Sequence, residues 1–285
     1  MEEDTRLVTA GRDPEKHFGV VNTPVYHVST VTFPTLAAHD AAYAARRRDE
    51  QVVTYGLAGT PTSYGLENAV AELEGGHRAL VYPSGLAAIV GALLACVKTG
   101  DHILVTDSAY LPTRHFCDGL LRRMGVETTY YDPLVGAGIE RLLRPNTSVV
   151  FTESPGSYTF EVQDIPAIAK AAHASGALVL MDNTWASPLF FKPFAHGVDL
   201  SIQAGTKYLA GHSDLLIGTV TATAEVWPKL RDATRQMGMG SGPDDMFLTL
   251  RGMRTLRLRL ERQQATALTL ARWLQGRPEV ARVLH

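Results

Sequence analysis

Cysteine is scarce in this chain of 285 residues, which holds only Cys96 and Cys117. They form no CxxC pair, and neither has a histidine beside it at ligand spacing. That excludes a disulfide framework and a zinc site as organising features. Cys96, within Ala92-Leu93-Leu94-Ala95-Cys96-Val97, reads as a small core residue. No apolar run reaches membrane-spanning length, so no helical span and no membrane partner are expected. An excess of one charge is also lacking: 27 Lys and Arg stand against 29 Asp and Glu, for a formal net charge of -2. A nucleic-acid partner is therefore not expected. The basic run Arg46-Arg47-Arg48 is followed at once by Asp49-Glu50 and reads as a solvated helix face. The acidic start Met1-Glu2-Glu3-Asp4 carries no apolar stretch of the kind a secretory signal needs. Together these absences point to a reducing, cytoplasmic setting.

Apolar residues are plentiful, at 45% of the chain. That is enough for a large core in one domain or two. Residues 1–60 are irregular and rich in Thr, Pro, Tyr and Ala, with one helix expected over 36–48; they read as an N-terminal arm. Regular patterning begins near Thr62. Ser63 is expected to cap a helix that Gly75-Gly76 closes after Glu74. A strand over 79–82 leads through Pro83-Ser84-Gly85 into an apolar helix ending near Val97. Strands are expected over 102–106, 126–130, 148–152, 177–181, 200–203 and 216–220, with helices over 110–124, 139–143 and 165–175. This alternation predicts an α/β fold for residues 61–242: three α/β/α layers around a mostly parallel sheet. Residues 243–275 read as one long amphipathic helix, with the arginines between Arg251 and Arg262 spaced helically among leucines. Residues 279–284 read as the start of a strand. One helix and one strand bury no core, so residues 243–285 are expected to open a second, C-terminal domain that is truncated here.

Two residues carry the chemical signal. Asp182 closes the apolar run Ala177-Leu178-Val179-Leu180-Met181, and Lys207 follows in Ala204-Gly205-Thr206-Lys207-Tyr208. The C-terminal ends of parallel strands are where α/β sheets place their chemistry. An amine and a carboxylate at two such ends are what pyridoxal 5'-phosphate (PLP) requires. The amine forms a Schiff base with the aldehyde, and the carboxylate keeps the pyridine nitrogen protonated. The flanks of Lys207 predict partial burial and a lowered pKa. The plainer alternatives are a surface lysine in a loop and an aspartate that shapes a turn. Ser84-Gly85-Leu86 lies at a strand-to-helix junction, where free amides suit a phosphate; alone, Ser-Gly there is equally a simple cap. Thr206 offers a hydroxyl to the same phosphate, while Gln203-Ala204 offers no second one. Tyr110 opens a helix just after the strand over 102–106. It reads either as a ring stacked on the cofactor or as a core aromatic.

Four segments carry a family resemblance: Tyr82-Pro83-Ser84-Gly85, Glu153-Ser154-Pro155-Gly156-Ser157, Asp182-Asn183-Thr184-Trp185, and the run from Ser201 to Asp214. In order and spacing they resemble the Cys/Met-metabolism PLP-dependent enzymes of fold type I, from about residue 15 to the last. Pro155-Gly156-Ser157, Trp185 and Gly211-His212-Ser213-Asp214 are most similar to the bacterial members that act at the β-carbon of cystathionine. The resemblance implies a PLP-dependent carbon–sulfur β-lyase of methionine biosynthesis. Its substrate would be a small sulfur amino acid, cystathionine first, cleaved to homocysteine, pyruvate and ammonia. Lys207 would be the cofactor-bound lysine and proton shuttle, Asp182 the partner of the ring nitrogen, and Tyr110 the stacking ring. Ser84, Gly85, Leu86 and Thr206 would surround the phosphate. Tyr55 would reach a neighbouring subunit's phosphate in a homotetramer built as a dimer of dimers. No metal is implied.

Two departures stand out. Leu57 occupies the place of the arginine in the family's Tyr-x-Arg motif, which predicts weaker PLP retention or another cation in its stead. The arginine that clamps the substrate carboxylate belongs to the C-terminal domain beyond this chain. Members that act at the γ-carbon, β-lyases of broad cysteine-conjugate range, and a PLP-binding chain without turnover stay open at this point.

Overall fold

The computed structural model describes residues 3–285; Met1 and Glu2, the head of the acidic start, lie outside them. The arm contains α1 (Glu3–Thr9) and α2 (Leu36–Arg47), the latter capped by Thr35 Oγ1 on the Ala38 amide. The next helix, α3 (Pro61–Glu74), begins earlier than the sequence pattern indicates. Thr60 is its cap, and Ser63 is the returning member of a reciprocal capping box. Both hydroxyl residues satisfy amides that the first helical turn leaves unpaired, and Pro61 costs nothing at N1.

The chain then runs through β1 (Arg78–Tyr82), α4 (Gly85–Cys96), β2 (His102–Thr106), α5 (Leu111–Phe116), β3 (Glu127–Tyr131) and β4 (Thr147–Glu153). It continues through α6 (Ile165–Ala174), β5 (Leu178–Asp182), α7 (Ser187–Phe190), β6 (Leu200–Gln203), β7 (Gly218–Ala222) and α8 (Trp227–Met237). The strands form one sheet in the order β1-β7-β6-β5-β4-β2-β3. Strand β7 is antiparallel to both of its neighbours, and every other pairing is parallel. It follows that β1, β2, β4, β5 and β6 all end at the same edge. Strands buried on both faces read as unbroken apolar runs. That is why β2, β4 and β5 were legible from sequence.

Apolar α4 covers one face of the sheet, with α8 and α5 beside it; Ala88, Ile89, Ala92 and Leu93 are buried against Ile103, Val149, Leu180 and Ile202. The opposite face is covered by α6, through Ile165, Ile168, Ala169 and Ala172. Cutting any one of these large core side chains to alanine is expected to cost about 2–5 kcal/mol. A third cluster joins α1 and α3 to the C-terminal helices.

Several sequence expectations need correction. Helix α8 went unrecognised, because its core side is reduced to Trp227, Leu230 and Thr234 among five polar or charged neighbours. The helix expected over 110–124 begins at Leu111, and a π turn over Cys117–Leu121 interrupts it. The helix expected over 139–143 is a 3-10 segment, Gly136–Leu142. The long helix expected over 243–275 is two helices, α9 (Pro243–Met253) and α10 (Leu256–Gln275), with Arg254 and Thr255 at the break. Just before that break, a Cβ on Gly252 would collide with the carbonyls of Leu209 and Ala210, so α9 lies directly against the chain that follows Lys207. No strand forms over residues 279–284. The arginines of this region do not simply face water. Arg254 donates to the carbonyls of Leu7 at 2.9 Å and Ala10 at 2.8 Å, which ties the helix junction to the arm.

Candidate active site

The sheet's C-terminal edge gathers the expected residues through a chain of hydrogen bonds. Glu153 ends β4 and Asp182 ends β5, and the two are paired in register. Both are buried, at 7% exposure each. Burial raises both pKa values, and the Asp182 charge raises that of Glu153 further. Glu153 accepts from the Tyr110 amide at 2.8 Å and from the Ser157 hydroxyl at 2.5 Å. Asp182 Oδ1 accepts from the Thr184 amide at 3.0 Å. The Thr184 side chain also lies within hydrogen-bonding reach of this carboxylate, and no cation among the described residues lowers its pKa. A buried carboxylate with no counter-charge is costly. It fits a ligand that brings a protonated nitrogen.

The turn after Asp182 is laced to the turn after β6. Thr184 Oγ1 accepts from the Ala204 amide at 2.8 Å, and Gln203 Nε2 donates to the Asn183 carbonyl at 3.1 Å. Beneath them, the fully buried Glu74 accepts from Gln203 Nε2 at 2.6 Å and from the Ser201 hydroxyl at 2.8 Å. Lys207 sits on this turn, its amide bonded to the Ala204 carbonyl at 2.9 Å. Thr206 engages its hydroxyl in both directions with Ile217, accepting from the amide at 3.0 Å and donating to the carbonyl at 3.1 Å. Arg259, from α10, donates to the Tyr208 carbonyl at 2.8 Å.

At the N-terminus of α4, Ser84 Oγ caps the Ala87 amide at 3.1 Å. The amides of Gly85 and Leu86 have no partner within the helix and point from its positive end. Gly85 packs against Ala204: a Cβ on it would stand 2.6 Å from the Ala204 Cβ. The close approach that glycine permits here is therefore to the Lys207 turn itself, and it sets the free amides of α4 beside that turn. Unpaired amides, an uncompensated buried carboxylate and a lysine share one edge, and as a donor set they fit the phosphate, the ring nitrogen and the aldehyde of PLP.

The sequence-based expectation for Lys207 needs one correction. Its side chain is exposed, because the flanking Leu209 and Ala210 turn into the core while Lys207 turns out at the sheet edge. The amine has no hydrogen-bond or ion-pair partner among the described residues. Tyr110 is likewise no core aromatic, with an exposed ring at the same edge. Trp185 stands there too, 5.0 Å from the Phe160 ring and 6.1 Å from the Tyr208 ring. Tyr55 is not brought to this cluster. It lines a separate cavity with Leu57, Arg78 and Arg235. Sequence reasoning passed over Glu153 and Glu74 as functional residues. The signal available was a carboxylate closing an apolar strand, Val149-Val150-Phe151-Thr152-Glu153, in the same manner as Asp182.

A three-layer α/β/α sheet with these groups at its C-terminal edge has the architecture of a PLP-dependent enzyme of fold type I. The chain belongs to the Cys/Met metabolism PLP-dependent enzyme family, whose model matches residues 4–285. A protein of Rhizobium johnstonii is 53% identical over 282 residues, covering 99% of this chain and 69% of that one. The cystathionine beta-lyase of Salmonella typhimurium is 45% identical over 284 residues, covering 99% of this chain and 71% of that one. Among solved structures, metB from Corynebacterium glutamicum superposes with a TM-score of 0.91 at 31% identity, covering 100% of this chain and 71% of that one.

Proposed function

We propose that the chain is a PLP-dependent carbon–sulfur β-lyase that cleaves cystathionine to homocysteine, pyruvate and ammonia. The observation that carries this reading is the uncompensated carboxylate of Asp182, laced to the Lys207 turn through Thr184 and Ala204. Lys207 would hold the cofactor covalently. Asp182 would accept the ring N–H. The Gly85 and Leu86 amides would bind the phosphate, with Ser84 capping their helix and Thr206 bracing the turn. Tyr110 would present its ring to the cofactor, and its backbone is fixed by Glu153. Tyr55 would serve a neighbouring copy, which makes a homo-oligomer part of the proposal, with a homotetramer as its form. The division into an arm over 1–60, a cofactor domain over 61–242 and the start of a C-terminal domain over 243–285 goes with it, as does a cytoplasmic setting; no helix of the described residues is long and apolar enough to cross a membrane.

Bound PLP supplies an electron sink for the substrate carbon that loses its proton. The residues of the chain do the rest. Asp182 would stand ionised against the ring N–H and so keep that sink charged. Lys207 Nζ takes the proton from the substrate's α-carbon and delivers a proton to the departing sulfur. No side chain among the described residues holds the exposed Lys207 amine, so it would be available for both tasks once the substrate amine takes its place on the cofactor.

The test is a visible spectrum of the purified protein followed by addition of cystathionine. The expected result is a lysine-linked PLP band and pyruvate release. Release of 2-oxobutyrate would assign γ-cleavage instead, and a band without turnover would mark a PLP-binding chain that does not catalyse. Lys207→Ala should lose both band and turnover; β-lyase turnover retained in that variant would overturn the assignment.

A further inference from the structure

A cavity of about 360 Å³ opens beside β1 and α3; none of Lys207, Asp182, Tyr110 or Gly85 lines it. Its wall carries four arginines: Arg46, Arg78, Arg231 and Arg235. Asp49 occupies two of them, at 3.0 Å from Arg78 Nη1 and 3.2 Å from Arg231 Nη1. Arg231 is also paired with Asp232 at 2.8 Å. Glu50 is taken by Arg48, at 2.8 Å. Two guanidiniums remain without a carboxylate among the described residues. Arg46 donates only to the Thr54 hydroxyl, at 3.0 Å, and Arg235 makes no hydrogen bond or ion pair at all.

Two further groups on the wall are unspent. Ser241 Oγ is buried and has no partner. The Glu67 carboxyl makes no hydrogen bond or ion pair among the described residues; burial pushes it up to about 8, against the charge of Arg78. The cavity thus holds more positive charge than its own carboxylates cancel. Burial and the charges of Arg46 and Arg231 push Arg235 below the usual arginine range, and the more weakly acting charges of Asp49 and Asp232 do not restore it. Such a gathering of like charge is unfavourable by itself and becomes favourable when an anion joins it.

We propose that this cavity binds a phosphate group, either inorganic or carried by a small molecule, with Arg235 and Arg46 as its two cationic partners. Two uncancelled guanidiniums match a dianion, where one carboxylate would cancel only one of them, and the planar fork of arginine suits oxyanions. The volume leaves room for an organic body against Leu57, Leu80, Met239 and Met246. The phosphate has two available sources. It is a free ligand, or it is the cofactor phosphate of a second copy of the chain. The second source rests on the proposal made above for Tyr55, which lines the same cavity.

The test uses the holoenzyme with its lysine-linked cofactor fixed by borohydride, so that the cofactor's own phosphate cannot leave. Inorganic phosphate is titrated by calorimetry in phosphate-free buffer. A free-ligand site gives saturable binding that Arg235→Gln weakens about tenfold or more, with partial recovery in Arg235→Lys. A site filled by a neighbouring copy's cofactor gives no phosphate binding; instead, Arg235→Gln in the unreduced enzyme releases PLP on dialysis about tenfold faster. Either result supports the proposal and names the source. The proposal is overturned if Arg235→Gln and Arg46→Gln change neither phosphate binding nor PLP release. A native protein with no visible band would sink the cofactor reading alone, and the titration with Arg235→Gln would still decide this one.

Discussion

Gly85 and Ala204 touch where helix α4 meets the Lys207 turn: a Cβ on Gly85 would lie 2.6 Å from the Ala204 Cβ and 3.0 Å from its Cα. Two elements far apart in sequence are thereby held at contact distance, one offering free amides and the other the lysine. Gly85→Ala must push the turn away from the helix. It is expected to destabilise the chain by about 1–3 kcal/mol and to speed PLP loss on dialysis. Gly119→Ala is the control, because a Cβ there meets nothing within 4 Å. Equal behaviour of the two variants in melting and dialysis would show that the contact does not shape the site.

Asp182 and Glu153 form a buried carboxyl pair; Glu153 is held by Tyr110 and Ser157, whereas Asp182 is bonded only within its own turn, to Thr184. Asp182→Asn retains an oxygen for the Thr184 amide but removes the charge. The expected result is a bound cofactor with turnover lowered about 100-fold or more, measured as pyruvate release at saturating substrate. With the Asp182 charge gone, Glu153 should titrate at lower pH. An Asp182→Asn enzyme with native turnover would remove the residue from its assigned role.

The residues that made the site legible in sequence were those that end buried strands. Asp182 could be read because Ala177–Met181 is wholly apolar and leaves the carboxylate no partner of its own. Lys207 could be placed for the same reason, but its exposure could not. The apolar letters beside it, Leu209 and Ala210, are buried by the turn and by α9, and they say nothing about where the lysine itself points. The capping error at Ser63 has a similar cause. Thr60 and Ser63 are both good cap residues, and the choice depends on a reciprocal bond between them. The break between α9 and α10 was invisible because neither Arg254 nor Thr255 is a helix-breaking residue type, and nothing local in the sequence marks the close packing of the neighbouring Gly252 on the Leu209 and Ala210 carbonyls. Tyr55 shows a further limit: its motif is local, yet within one chain it lies at a different cavity from Lys207.

Arg259 links the C-terminal helices to the lysine turn. It donates to the Tyr208 carbonyl at 2.8 Å and the Gly252 carbonyl at 2.9 Å, and its Nε donates to the Thr255 hydroxyl at 3.1 Å. It touches none of the expected cofactor groups, so it acts as a positioning residue. Arg259→Gln should lower kcat more than it raises KM, and it should shift the visible band of the bound cofactor while PLP stays bound. Arg259→Lys, which keeps the charge but not the fork, should recover little. A variant that changes only the melting temperature would reduce Arg259 to a structural tie.

Glu74 gives a prediction with a definite sign in pH. Burial pushes its carboxyl up to about 7, despite the hydrogen bonds from Ser201 and Gln203. Its folded pKa lies above the ordinary value of 4.5 expected when unfolded, so between these values the folded chain binds the proton more tightly. The stability linked to Glu74 is therefore full below pH 4.5 and is lost as pH rises through about 7. Each proton so linked contributes at most about 1.4 kcal/mol per pH unit. Glu67 and Glu153 are raised from the same starting value, each to about 8, and act in the same direction. His102, lowered by burial, acts in the opposite direction as a single group. The melting temperature should fall between pH 5 and pH 8. Glu74→Gln can accept from Gln203 and donate to Ser201, so it preserves the network without a titrating proton. That variant should melt above the native chain at pH 8 and show a shallower pH slope, whereas Glu74→Ala should melt lower at every pH because it leaves Ser201 and Gln203 without their acceptor. A Glu74→Gln chain whose melting temperature follows the native pH curve would show that Glu74 is ionised across the range and that the buried network holds a full negative charge.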